Sequence, residues 1–189
     1  VGFDTYLKML KEAIAKLEQS GPRPEAMSVK VNLDLPAYLP DEYVPDQKQK
    51  LALYRKIAAA EDPAVLEEAA RELQDRYGPL PEAARSLLDK MRLRLFSARL
   101  GLENVYIADG FCKLDFSRQA RVRLNPVCRA LESVTGDKDV VSLNPVSITI
   151  RPQSKQKAFT QIIGAIEFMS VQPERFLEPD SAMQLESGR

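Results

Sequence analysis

Val105-Tyr106-Ile107-Ala108-Asp109-Gly110-Phe111-Cys112-Lys113-Leu114-Asp115-Phe116 is the stretch that decides the fold class. Two runs rich in β-branched and aromatic residues flank an Asp-Gly pair, the dipeptide favoured in two-residue turns between antiparallel strands. The stretch reads as a β-hairpin. A helical region precedes it and further strand and helix signals follow, so the expected class is α+β. The architecture expected is a small, mostly antiparallel sheet packed against several helices.

Three helices are expected before the hairpin. Asp46 stands as N-cap of the first, Gln49 completes a capping box three residues on, and the helix runs to about Ala60. Asp62-Pro63 supplies the cap and first residue of the second helix. Its apolar stripe is Leu66, Ala69, Leu73 and Tyr77, and Gly78-Pro79 ends it. Pro81 opens the third helix and Gly101 closes it. Ala84, Leu87, Leu88, Met91, Leu95 and Ala98 line one face, while Leu93, Phe96 and Leu100 line nearly the opposite one. A helix apolar on two sides is covered on both, which places it between the other helices and a sheet.

Further upstream, Val29, Val31, Leu33 and Leu35 alternate with Ser28, Lys30, Asn32 and Asp34, the period of a strand buried on one face. Residues 3–17 are expected as a separate N-terminal amphipathic helix with Phe3, Tyr6, Leu7, Leu10, Ile14 and Leu17 on one stripe, stopped by Ser20-Gly21-Pro22-Arg23-Pro24. Downstream, Val122 to Leu124 reads as a third short strand and Asn125-Pro126 as the start of a short helix ending near Gly136. Val140 to Leu143 and Val146 to Ile150 read as two more strands. Ser154 caps a last helix carrying Phe159, Ile162, Ile163, Ile166 and Met169. The expected organisation is a helix of a preceding module at 1–20, a linker at 21–27, an α+β domain at 28–172 and a polar tail at 173–189.

Composition narrows the chemistry. The 189 residues hold 27 Lys+Arg, 27 Asp+Glu, two Cys and no His. Without histidine there is no Ser–His or Cys–His nucleophile pair, no imidazole base and no His-containing zinc site. Cys112 and Cys128 cannot build a Cys₄ site or a CxxC motif, and read as small apolar residues of a reduced, cytosolic protein. Neither GxxxxGK[ST] nor GxGxxG occurs, so no nucleotide cofactor site is expected here. Asp41, Glu42 and Asp46, like Glu67, Glu68 and Glu72, lack metal-ligand spacing and read as caps and solvated faces. No stretch approaches the ~20 apolar residues of a membrane span, and a chain beginning at Val1 without a signal segment reads as a soluble piece of something longer.

Charge is balanced overall but unevenly placed. Residues 41–82 carry a net −4 and residues 83–123 a net +5. Arg85, Arg92 and Arg99 recur every seven residues, and with Arg118, Arg121 and Arg123 they make a candidate phosphate-contacting set. Snorkelling along the core margin explains them more simply, because aromatics for base stacking are not interleaved. Glu72 and Arg76, four apart on the second helix and flanking Leu73, are either an intrahelical ion pair or a charged pair offered to a partner. Periodicity alone does not choose between these.

Tyr38-Leu39-Pro40-Asp41-Glu42-Tyr43-Val44-Pro45-Asp46, Leu53-Tyr54-Arg55-Lys56-Ile57-Ala58 and Glu72-Leu73-Gln74-Asp75-Arg76-Tyr77-Gly78-Pro79-Leu80-Pro81 resemble the C-terminal domain of bacterial transcription-repair coupling factors. Arg92-Leu93-Arg94-Leu95 through Arg99-Leu100-Gly101 continues the likeness, and Val1 to Leu10 is similar to the helix that follows the family's translocation motif. The resemblance runs over residues 1 to about 100 and weakens through the strands.

It implies a non-catalytic bacterial cytoplasmic domain of a larger ATP-dependent DNA translocase that displaces stalled RNA polymerase and recruits nucleotide excision repair through the excinuclease A protein. ATP, magnesium, DNA and RNA polymerase would then belong to other domains of the parent, and residues 1–20 to its translocase module. This domain would mask the parent's own N-terminal excinuclease-binding module. The family's contact through a Glu-Leu-x-Asp-Arg stretch carries over to Glu72 and Arg76. The tail after Pro173 departs from the family pattern.

Overall fold

A computed structural model describes residues 29–108, 111–135, 140–144, 146–150 and 155–178. The expected helix at 3–17, its linker, the Asp109-Gly110 turn and the Ser154 cap lie outside the described residues. The chain divides into two compact units: a helical one whose described part is 35–95, and a sheet-containing one built from 29–34 and from Phe96 onward.

The sheet unit holds five strands, β1 (Lys30–Leu33), β2 (Leu102–Ala108), β3 (Phe111–Phe116), β4 (Val140–Asn144) and β5 (Ser147–Ile150), in the order β1-β2-β3-β5-β4. The hairpin is present, with Ala108 opposite Phe111. Only β1·β2 is parallel, with Val31 opposite Val105, and the other three pairings are antiparallel. A parallel neighbour needs a long crossover, and here it comprises the whole helical unit. A register shift between Leu102 and Asn104 re-phases β2, so Leu102 and Val105, three apart, are both fully buried.

Against that inner face the alternating Cys112, Leu114 and Phe116 of β3 are buried, with Ile148 and Ile150 of β5. Helices α4 (Leu124–Thr135) and α5 (Lys155–Val171) pack on each other and supply Val127, Leu131, Ile162, Ile166 and Met169 to this unit's core.

Two expectations are corrected in this unit. Leu35 is 42% exposed, because the ladder ends at Leu33–Ile107 and the chain bends away after Asp34 N–H donates to Ile107 O at 3.1 Å. Val122 to Leu124 is not a strand. Arg121 turns the backbone with φ 40°, Val122 makes a single bridge to Leu177, and Leu124 already opens α4. Arg123 N–H to Phe176 O and Glu178 N–H to Arg121 O close this small patch, and Phe176, beyond residue 172, is buried.

The helical unit contains α1 (Gln47–Ala58), α2 (Pro63–Tyr77) and most of α3 (Glu82–Arg99). Asp46 caps α1 through Gln49 N–H at 2.9 Å. The box is not reciprocal, since Gln49 Oε1 takes the Tyr77 hydroxyl instead. Asp62 caps α2 through Ala64 N–H at 2.8 Å with Pro63 in the first turn, and Gly78 at φ 85° ends it. The proline-rich connection before α1 is packed: Leu39 and Val44 are buried, and Leu39 N–H donates to Tyr54 Oη at 2.8 Å.

Helix α3 serves both units, contributing Ala84, Leu87, Leu88 and Met91 to the helical core and, beyond Leu95, Phe96 and Leu100 to the sheet unit. Leu93, on the second apolar line, is buried too. Ala98, expected on the first line, is exposed, because past Leu95 the buried side is carried by Phe96, Ser97 and Leu100. Among the described residues no helix is long and apolar enough to cross a membrane.

Candidate functional site

The charged pair singled out in the sequence lies on the α1–α2 face of the helical unit. Leu66, Ala69 and Leu73 bury one side of α2 completely or nearly so. That stripe turns Glu68, Glu72 and Arg76, at i, i+4 and i+8, along the margin that faces α1. Glu72 Oε1 lies 3.3 Å from Arg76 Nη1, so the intrahelical pair is formed. Glu72 Oε2 also takes a hydrogen bond from Lys56 Nζ of α1 at 3.0 Å, and the same ammonium stands 3.4 Å from Glu68 Oε1.

Glu72 is therefore the shared anion of a four-residue network. Its side chain is 27% exposed, whereas that of Arg76 is 56% exposed and presents its guanidinium to solvent. The hydrogen bond from Lys56 to Glu72 is the main reason the lysine's pKa lies above its usual value.

The end of α2 is held by Tyr43. Its hydroxyl lies 3.0 Å from Leu73 O and 2.8 Å from Gly78 O, two acceptors at the close of the helix, and its ring packs on Tyr77 with centroids 5.7 Å apart. Removal from water raises the Tyr43 pKa, keeping the phenol a donor. Arg76 sits in this last turn, where a cation is favoured by the helix dipole. A second clamp, Lys50 Nζ to Asp41 Oδ1 at 2.6 Å, ties the entry segment to α1 and holds the Asp41 carboxyl below its ordinary pKa, helped by Gln47.

The six candidate arginines do not behave as a set. In the helical unit Arg85 donates to Leu80 O at 3.1 Å, and Arg92 lies 3.4 Å from Glu67 Oε1. Both also flank Asp89, whose burial raises its pKa while they oppose the rise. Arg99, Arg118, Arg121 and Arg123 belong to the sheet unit, and all four are exposed.

Sequence reasoning found Glu72 and Arg76 but missed Lys56 and Glu68. The available signal was complementarity between the basic last turn of α1, Arg55 and Lys56, and the acidic Glu67, Glu68 and Glu72 of α2. It also missed Tyr43, whose role depends on a contact spanning thirty residues or more.

The described residues thus form an α+β fold whose helical unit carries a self-paired charged face. The TRCF domain family model matches residues 33–127, and the chain belongs to that family. It is 37% identical over 110 residues to the transcription-repair-coupling factor of Escherichia coli, covering 56% of this chain and 10% of that protein. It is 35% identical over 126 residues to the Haemophilus influenzae protein of the same name, covering 65% and 11%. The chain thus spans about a tenth of the length of these curated relatives. A crystal structure of the C-terminal domain of transcription-repair coupling factor aligns with TM-score 0.64 and 24% identity, over 76% of this chain and 94% of that one, and shares the fold.

Proposed function

We propose that the chain is the C-terminal regulatory domain of a transcription-repair coupling factor and works by reversible contact, without catalysis of its own. In this reading the parent is an ATP-dependent DNA translocase that displaces stalled RNA polymerase and recruits nucleotide excision repair. The domain covers the parent's N-terminal excinuclease-binding module until the motor engages. ATP, magnesium, polymerase and DNA are handled by other parts of the parent.

One observation carries the masking role: Glu72 is divided between Lys56 and Arg76 while Arg76 stays half in solvent. A mask must let go on a modest conformational change, and polar contacts with exchangeable partners suit that better than a large apolar interface. The network gives each charge a partner when the mask is off, so release strands no buried ion. Arg76→Glu in the full-length parent is the test, read as affinity for the excinuclease A protein. Tighter binding than wild type supports masking, and unchanged binding opposes it.

A further inference from the structure

The sheet unit carries a second surface unrelated to the Glu72 network. A groove of about 680 Å³ opens between α4, the last turn of α5 and the turn at Pro173–Arg175. Its floor is apolar, with Ala130 and Phe176 buried. One wall is Phe168, 54% exposed and edge-on to Phe176 at 6.3 Å. Arg123, Arg129 and Arg175 line the rest. Arg175 Nη1 donates to Gln172 Oε1 at 3.0 Å, and among the described residues none of the three arginines has a carboxylate partner.

Three uncompensated guanidinium groups around an apolar floor define the complement. We propose that this groove docks an acidic peptide segment of a protein partner, with carboxylates on Arg123, Arg129 and Arg175 and one large apolar side chain against Phe168. Guanidinium forks bind carboxylates in a bidentate way that fixes orientation. The volume suits a short run of side chains, not an extended helix. A single-stranded nucleic acid would want successive exposed rings for its bases, and here Phe168 alone offers a face while Phe176 is 4% exposed.

The inference does not depend on masking and is tested without the parent. A random dodecapeptide phage library is panned on the immobilised 189-residue chain, and the enriched peptide is synthesised and titrated by fluorescence anisotropy. The expected winners carry at least two acids beside a Phe, Leu or Met. Their binding weakens at least tenfold in the Arg123→Glu/Arg129→Glu variant and severalfold in Phe168→Ala. Circular dichroism verifies folding, and if the double variant melts, Arg129→Gln takes its place with a loss of severalfold expected. Absence of an acidic consensus, or equal binding to the variants, overturns the proposal. Tighter arginine-dependent binding of labelled oligothymidylate than of the peptide overturns it in favour of nucleic acid.

Discussion

Lys56 of α1 and Glu72 of α2 meet at 3.0 Å, although sixteen residues separate them in the chain. This contact turns an intrahelical pair into a bridge between two helices. It lies at the surface, so salt screens it. Lys56→Gln is expected to lower the melting temperature by less than about 4 °C, and thermal melts at 1 M salt should erase the difference. The pH dependence has a definite sign. The folded pKa of Lys56 is raised, so its contribution is intact below the usual lysine value and is lost only as pH climbs through the raised one.

Tyr43 anchors the turn that displays Arg76. Tyr43→Phe keeps the ring against Tyr77 but leaves Leu73 O and Gly78 O without the hydroxyl. A cost of about 1–2 kcal/mol in urea denaturation is expected. The proposed contact through Arg76 should weaken along with it, because the end of α2 loses this anchor.

Gly101 ends α3 at φ +67°, and a Cβ there would lie 2.6 Å from the Ala120 Cβ. Its carbonyl accepts from Ser117 N–H at 2.8 Å, which fixes the approach. Gly101→Ala combines left-handed strain with overpacking and is expected to destabilise by about 2–4 kcal/mol. The contrasting position is Gly78, where φ is +85° but nothing lies within 4 Å of the added carbon. Gly78→Ala should cost less, about 1–2 kcal/mol from strain alone, and paired denaturation curves rank the two.

The two thiols should separate by reactivity. Cys112 is fully buried and its thiol pKa is pushed far up by loss of solvent, whereas Cys128 is only half-buried. Alkylation of the native chain at pH 8, read by mass spectrometry, should modify Cys128 and spare Cys112. The folded Cys112 thiol holds its proton above the free thiol's pKa. Stability is therefore unaffected below the ordinary value of 9.0 and falls as pH rises past it. Cys112→Ala should flatten that alkaline decline in a denaturant series.

Local chemistry was readable in the chain, and long-range pairing was not. Asp46, Asp62-Pro63 and Gly78 mark real helix ends because a cap depends on residues two to four apart. The hairpin was readable for the same reason. The parallel β1·β2 pairing was hidden, since nothing in residues 30–33 announces a partner that begins at Leu102. Val122 to Leu124 misled because a short β-prone run has no periodicity long enough to distinguish strand from helix start. At the candidate site Glu72 and Arg76 were visible as an i, i+4 pair, while Lys56 needed the packing of α1 on α2 to join them.

The central claim is that the Glu72–Arg76 face is a reversible contact surface for the parent's N-terminal module. Isothermal titration of the 189-residue chain with that module, at low and then moderate salt, addresses it most directly. The expected result is micromolar-range binding that weakens as salt rises and drops at least tenfold in Glu72→Lys and in Arg76→Glu, with both variants folded. Full-strength binding by both folded variants, or no binding by the wild-type chain even at low salt, would contradict it.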